Sequence, residues 1–101
     1  MKQIIFKDKF LDKIISGEKK QTIRNWKKIN LNIGEIVEAT NYNKKIKIKI
    51  KEIYIKKILN ITEKEAILDG FDSLNSLQNE ILKIYKTLNF DAYVIKFDVL
   101  N

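Results

Sequence analysis

From Lys45 to Lys51 lysine alternates without interruption with Ile46, Ile48 and Ile50. Successive side chains of an extended strand point to opposite faces, so only a strand lets this run bury an isoleucine face and solvate a lysine face. Ile53 and Ile55 fall on the other parity. A change of phase after Ile50 places a bulge or sharp bend near Lys51 and Glu52, the device with which small barrels turn their corners. The lysine stripe suits a phosphate backbone, and it equally suits the charged outer face of a barrel strand, where it discourages edge pairing.

Around this strand the remaining elements are punctuated by glycine and by capping residues. Gln3 to Phe6 reads as a short strand, and Asp8 as the cap of a helix whose Phe10, Leu11, Ile14 and Ile15 share one face. Gly17 ends that helix by accepting a left-handed conformation and releases Lys19 to Trp26 as a turn followed by an extended segment. Asn32 to Glu35 turns into a strand from Ile36 to Tyr42, and Asn41 to Lys44 forms a hairpin connection. Thr62-Glu63-Lys64-Glu65 fits a capping box, opening a short helix that Gly70 closes just after Asp69. Ser73 starts a longer helix in which Leu74, Leu77, Ile81, Ile84 or Tyr85, and Leu88 make a core face. Ala92 to Leu100 alternates as a last strand with one face buried. Strands segregated from helices predict an α+β fold: a small, mostly antiparallel β-barrel with about three helices packed on one side.

The 101 residues, 45% of them hydrophobic, fit one domain over 1–101 with one core, and no proline or low-complexity linker divides them. There is no cysteine and no histidine. Disulfides and thiolate zinc sites are excluded, and the commonest metal ligand and general base is missing, so no metal or organic cofactor is expected. Chemistry falls to lysine, carboxylates, hydroxyls and the backbone. No apolar run reaches the roughly 18 residues of a membrane span, and the start turns polar too soon for a signal peptide, so a cytoplasmic protein is expected. The net charge of +7 favours polyanionic partners, nucleic acid before an anionic membrane surface.

Arg24 is the chain's only arginine. Where lysine supplies nearly all positive charge, a lone guanidinium points to a geometric need: its planar fork grips a carboxylate, phosphate or base edge bidentately, which an ammonium does not. In a strand Thr22, Arg24 and Trp26 point one way and Gln21, Ile23 and Asn25 the other. Trp26 and Tyr42 are the aromatic candidates for stacking on an unpaired base, with barrel core as the alternative role.

The ordered set of Phe10 through Ile15, Gly17-x-Lys19-x-x-Thr22-x-Arg24, Gly34-Glu35-Ile36-Val37, Ile61-Thr62-Glu63-x-x-Ala66-x-x-Asp69-Gly70-Phe71, Ile84-Tyr85 and Tyr93-Val94-Ile95-x-Phe97 resembles the ASCH domain. The resemblance covers nearly the whole chain. It implies a small PUA-like barrel, related to domains that bind RNA, and hence RNA or a cytidine-type nucleoside as partner, with Lys20, Arg24, Trp26 and Tyr42 as candidate contacts. Some ASCH proteins of this size look like amidohydrolases that remove the acetyl group from N4-acetylcytidine. On that pattern Thr22 matches the nucleophile, Lys19 the proton acceptor and Asp69 the proton donor. Two positions depart from it: Asp69 stands where the pattern has glutamate, one methylene longer, and Lys20 where it has threonine.

The implied chemistry is physically coherent. A threonine hydroxyl needs a base to take its proton, and a lysine serves only when its pKa falls well below ~10.4. Burial and neighbouring cations both lower it; Lys20 and Arg24 are the local candidates, with Glu18 opposing them if it points inward. Arg24 is suited to hold the cytosine edge or a developing oxyanion. The plainer alternative makes Lys19 and Lys20 a solvated turn, Thr22 an ordinary strand residue and Asp69 a helix-end carboxylate. Three functions remain open: nucleic-acid or nucleoside binding, hydrolysis of an acylated cytidine, and a protein-interaction module, for which the surface from Gly17 to Arg24 should lack a concave pocket.

Overall fold

The computed structural model describes residues 1–100. Its elements are β1 (Gln3–Ile5), α1 (Asp8–Ser16), β2 (Gln21–Arg24), β3 (Ile36–Thr40), β4 (Lys45–Lys57), a 3₁₀ turn (Ile58–Asn60), α2 (Glu63–Leu68), α3 (Leu74–Tyr85) and β5 (Asp91–Val99). β4 carries the lysine–isoleucine alternation as a strand: Ile48 and Ile50 are buried while Lys45, Lys47, Lys49 and Lys51 are exposed. Its register against β5 slips between Ile50 and Glu52, the position at which the apolar parity changes. The bulge keeps Ile53 against the same cluster as Ile48 and Ile50 despite the change of parity.

The strands form one sheet in the order β1-β3-β4-β5-β2. Three pairings are antiparallel, whereas β1 lies parallel to β3, so the sheet is mixed. The expected closed barrel is corrected to an open sheet whose edges are β1 and β2. Arg24 spans the two edge strands instead of a backbone ladder, donating from Nη2 to the Ile5 carbonyl at 2.8 Å.

Burial also differs from the one-sided packing expected of β5. Ile95 and Phe97 enter a cluster with Ile4, Leu11, Ile14, Val37 and Ile48. Ala92 and Val94, on the opposite face of the strand, join Ile58, Ile61, Ala66, Leu77 and Ile81. Helix α1 thus belongs to the first cluster and α2 and α3 to the second, so the helices are not gathered on one side. Each fully buried isoleucine or leucine contributes about 1.5–3 kcal/mol, which makes this two-sided burial the principal stabilising term.

The glycine and capping signals act locally as the residues dictate, with one exception. Gly17 adopts φ 88° and its N–H bonds the Ile14 carbonyl. Thr62 and Glu65 form the reciprocal capping box. Glu65 further accepts from Tyr54 Oη at 2.7 Å and from Lys56 Nζ. Burial raises its pKa, but the bonds from Lys56, the Thr62 backbone and Tyr54 overcome this and hold the carboxyl at about 2. Asp8 does not cap α1: Lys7 occupies the cap without a side-chain bond. Asp8 opens the first turn, where its charge suits the helix dipole, and accepts from Asn41 Nδ2 at 2.8 Å. At the far end of α3, Ile84 and Tyr85 are 48% and 38% exposed, not core. Among the described residues no helix is long and apolar enough to cross a membrane.

Candidate functional site

The open side of the sheet is a cleft of about 170 Å³ bounded by the ends of β1 and β2, by α3 and by the turn after α2. Local rules bring its polar floor together. After Gly17 the chain doubles back, and the Lys19 N–H bonds the Lys13 carbonyl at 3.0 Å. The Lys20 N–H then bonds the Leu68 carbonyl at 2.7 Å, which ties this turn to the end of α2. Asp69 caps α2, and Gly70 turns away with φ 93°. A Cβ on Gly70 would lie 3.2 Å from Lys19 Cβ and 3.3 Å from Lys13 Cδ, so glycine supplies both the conformation and the room. Pairing of β2 with β5, Thr22 opposite Ile95 and Arg24 opposite Tyr93, fixes the remaining side chains.

Lys19 and Asp69 form a buried ion pair, with side chains 4% and 7% exposed. Lys19 Nζ lies 3.2 Å from Asp69 Oδ2 and donates to the Asp69 backbone carbonyl at 2.7 Å. Gln21, wholly buried, donates from Nε2 to Asp69 Oδ1 at 3.4 Å, and its own Oε1 has no partner among the described residues. Thr22 is buried, and its Oγ1 accepts from Arg24 Nε at 2.9 Å. The guanidinium is centred 4.6 Å from the Phe6 ring. Burial lowers the Lys19 pKa; the Asp69 charge opposes this, while Arg24 and Lys13 reinforce it. Burial likewise raises that of Asp69, against the pull of Lys19 and Gln21.

The structure therefore gathers Lys19, Thr22, Arg24 and Asp69 around one cleft. It does not join them all: Lys19 Nζ bonds Asp69, and no hydrogen bond connects it to Thr22 Oγ1 among the described residues. Three residues named from sequence lie elsewhere. Lys20 points outward and is exposed, because its neighbour Lys19 takes the inward side of the turn. Trp26 packs half-buried against the first cluster, 5.7 Å from the Arg24 guanidinium, outside the cleft lining. Tyr42 stands 81% exposed on the β3–β4 hairpin with φ 75°, also outside it.

Other aromatic residues form the walls. Phe10 and Phe71 meet at 5.6 Å, and Tyr85 and Phe90 meet edge to face at 5.2 Å. The cation that assists Arg24 in depressing the Lys19 pKa is Lys13 from α1, not Lys20. Glu80 of α3 adds a second carboxylate to the lining. No local pattern marks it: Glu80 lies one turn from Ile84 on α3, and that spacing leads to the cleft only once the helix is docked.

A five-stranded mixed sheet with three α-helices and a polar-floored cleft at its unpaired side is an α+β architecture. The model of the ASCH domain matches residues 2–99, and the chain belongs to that family. No functionally curated protein matches it in sequence. The crystal structure of an ASCH domain from Lactobacillus crispatus JV V101 is similar with a TM-score of 0.84 at 17% identity, covering 97% of this chain and 78% of that one. Protein EF3133 of Enterococcus faecalis V583 is similar with a TM-score of 0.72 at 14% identity, over 99% of this chain and 81% of that one. Protein PF0455 of Pyrococcus furiosus gives 0.67 at 19% identity, over 99% and 97%. Likeness at these identities speaks for the shared fold alone.

Proposed function

We propose that this ASCH domain binds RNA by taking an unpaired cytidine-type base into the cleft, and binds the corresponding free nucleoside in the same way. The observation that carries this reading is the cleft's make-up: aromatic and aliphatic walls above buried, mutually bonded polar groups, in a chain of net charge +7. A nucleobase is apolar on its faces and polar on its edge, and such a pocket complements both. Arg24 supplies a planar donor for the edge. Exposed lysines, including the β4 stripe, supply sequence-independent attraction to phosphates. The interaction-module alternative expects a flat surface between Gly17 and Arg24, where the cleft instead lies. The affinity for a short cytidine-containing single-stranded RNA is expected to fall linearly on a log–log plot as salt rises, measured by fluorescence anisotropy. Absence of binding at low salt, or an affinity indifferent to salt, sinks the reading.

Hydrolysis of N4-acetylcytidine is a second reading, favoured by the opposed pKa shifts of Lys19 and Asp69. Transfer of one proton from Lys19 Nζ to the Asp69 carboxylate converts the ion pair into an amine base and a carboxylic acid with no change in total protons. Burial favours that neutral form. The amine then takes the Thr22 proton as Oγ1 attacks the acetyl carbon, and the acid protonates the departing N4. Cytidine leaves, and water hydrolyses the acetyl ester on Thr22 to acetate. Lys19 must first swing from the Asp69 carbonyl toward Thr22. Incubation with N4-acetylcytidine and chromatography should yield cytidine and acetate in equal amounts, and none from Thr22→Ala; undiminished turnover in that variant removes Thr22 as nucleophile.

A further inference from the structure

Glu80 has no part in the chemistry above, yet it lines the same cleft from α3. Its side chain is 13% exposed, flanked by Lys7 Nζ at 3.5 Å and Lys9 Nζ at 3.3 Å. Those two lysines are 62% and 58% exposed, so the carboxylate stands toward the rim, whereas the Lys19–Asp69 pair lies at the floor. Oε2, the oxygen that faces Lys7 Nζ at 3.5 Å, is shielded from solvent and accepts no hydrogen bond among the described residues.

A base that enters with its exocyclic edge toward Lys19, Thr22 and Asp69 leaves its sugar at the rim, beside α3. An ionised carboxylate only accepts hydrogen bonds, and of the sugar's groups the hydroxyls are the ones that donate. Within an RNA chain the 2′-hydroxyl is the one that remains free, and it distinguishes RNA from DNA. Resting on the cytidine-binding reading, we infer that Glu80 accepts a hydrogen bond from the ribose 2′-hydroxyl and makes the cleft selective for ribonucleotides over deoxyribonucleotides. Lys7 and Lys9 act as positioning residues that hold the carboxylate ionised at the rim. Burial raises its pKa, but Lys9 and Lys7 outweigh this and lower it.

The experiment is calorimetric titration of the full chain with cytidine and with 2′-deoxycytidine, for the parent and for Glu80→Met. The parent is expected to bind cytidine about tenfold or more tightly, the value of one hydrogen bond to a charged group. Glu80→Met should bring the two ligands to about parity, with its melting curve recorded to verify folding. Equal affinities in the parent, a comparison that needs no variant, overturn the role of Glu80 and leave the base-binding reading standing. A preference that persists in folded Glu80→Met overturns it too. If neither ligand binds the parent, the base-binding reading fails and this assignment falls with it.

Discussion

Replacing Lys19 with methionine is expected to lower the melting temperature by roughly 12 °C or more at neutral pH. Removing one member of a buried ion pair costs about 3–5 kcal/mol, because the other is left charged and poorly solvated. For a domain of this size each kcal/mol is worth about 4–8 °C. The stranded partner is Asp69, 5% exposed and left only with Gln21. Its pKa, already raised above 3.8 by burial, rises further without Lys19. Such a group burdens the folded state above its unfolded pKa and ceases to do so once protonated, so the deficit of Lys19→Met should shrink as the pH falls toward 4. The double variant Lys19→Met/Asp69→Leu should regain most of the lost stability, since apolar residues of similar volume commonly replace a buried pair without penalty. Melting curves followed by circular dichroism test both points. A single variant within a few degrees of the parent shows that the pair is not confined as described.

Arg24→Lys has the second largest expected effect, and it is felt in stability and binding together. The guanidinium donates through Nε to Thr22 and through Nη2 to the Ile5 carbonyl, so one side chain fixes the threonine and bridges the sheet's edges. An ammonium retains the charge but not the fork. Loss of about 1–3 kcal/mol is expected, together with cytidine affinity reduced at least about tenfold in the titrations described for Glu80. Parent-like melting and affinity would show that charge alone is what the position requires.

Local chemistry makes much of this architecture readable in the sequence. The lysine–isoleucine alternation, the parity change after Ile50, Gly17 and the Thr62–Glu65 box each operate within a few residues, so their outcomes depend little on the rest of the chain. What was not readable depends on distant packing. Nothing in Gln3–Ile5 specifies that β1 lies parallel to β3 or that its other side stays unpaired. Helical spacing marks Ile84 and Tyr85 as apolar, but not whether an opposing layer extends far enough to cover them. At the site, Lys19, Thr22, Arg24 and Asp69 converge as residues of two recognisable segments, whereas Phe10 and Glu80 reach the cleft, and Lys13 comes to act on Lys19, from helices whose docking the sequence does not specify. The rings of Trp26 and Tyr42 suit stacking on a base, but ring chemistry carries no information about which side of a sheet a residue occupies.

The sheet order also governs when the cleft comes into being. Among the described residues β2, which carries Thr22 and Arg24, has β5 as its only strand partner, with Thr22 facing Ile95 across most of the chain's length. During synthesis at about 5–20 residues per second, β2 therefore waits roughly 4–15 s for the segment that completes its ladder. β1, β3 and β4 have mutual partners well before that. Non-local closure of this kind is slow relative to helix formation. The cleft is thus among the last features to assemble, so ligand binding reports completion of the whole fold.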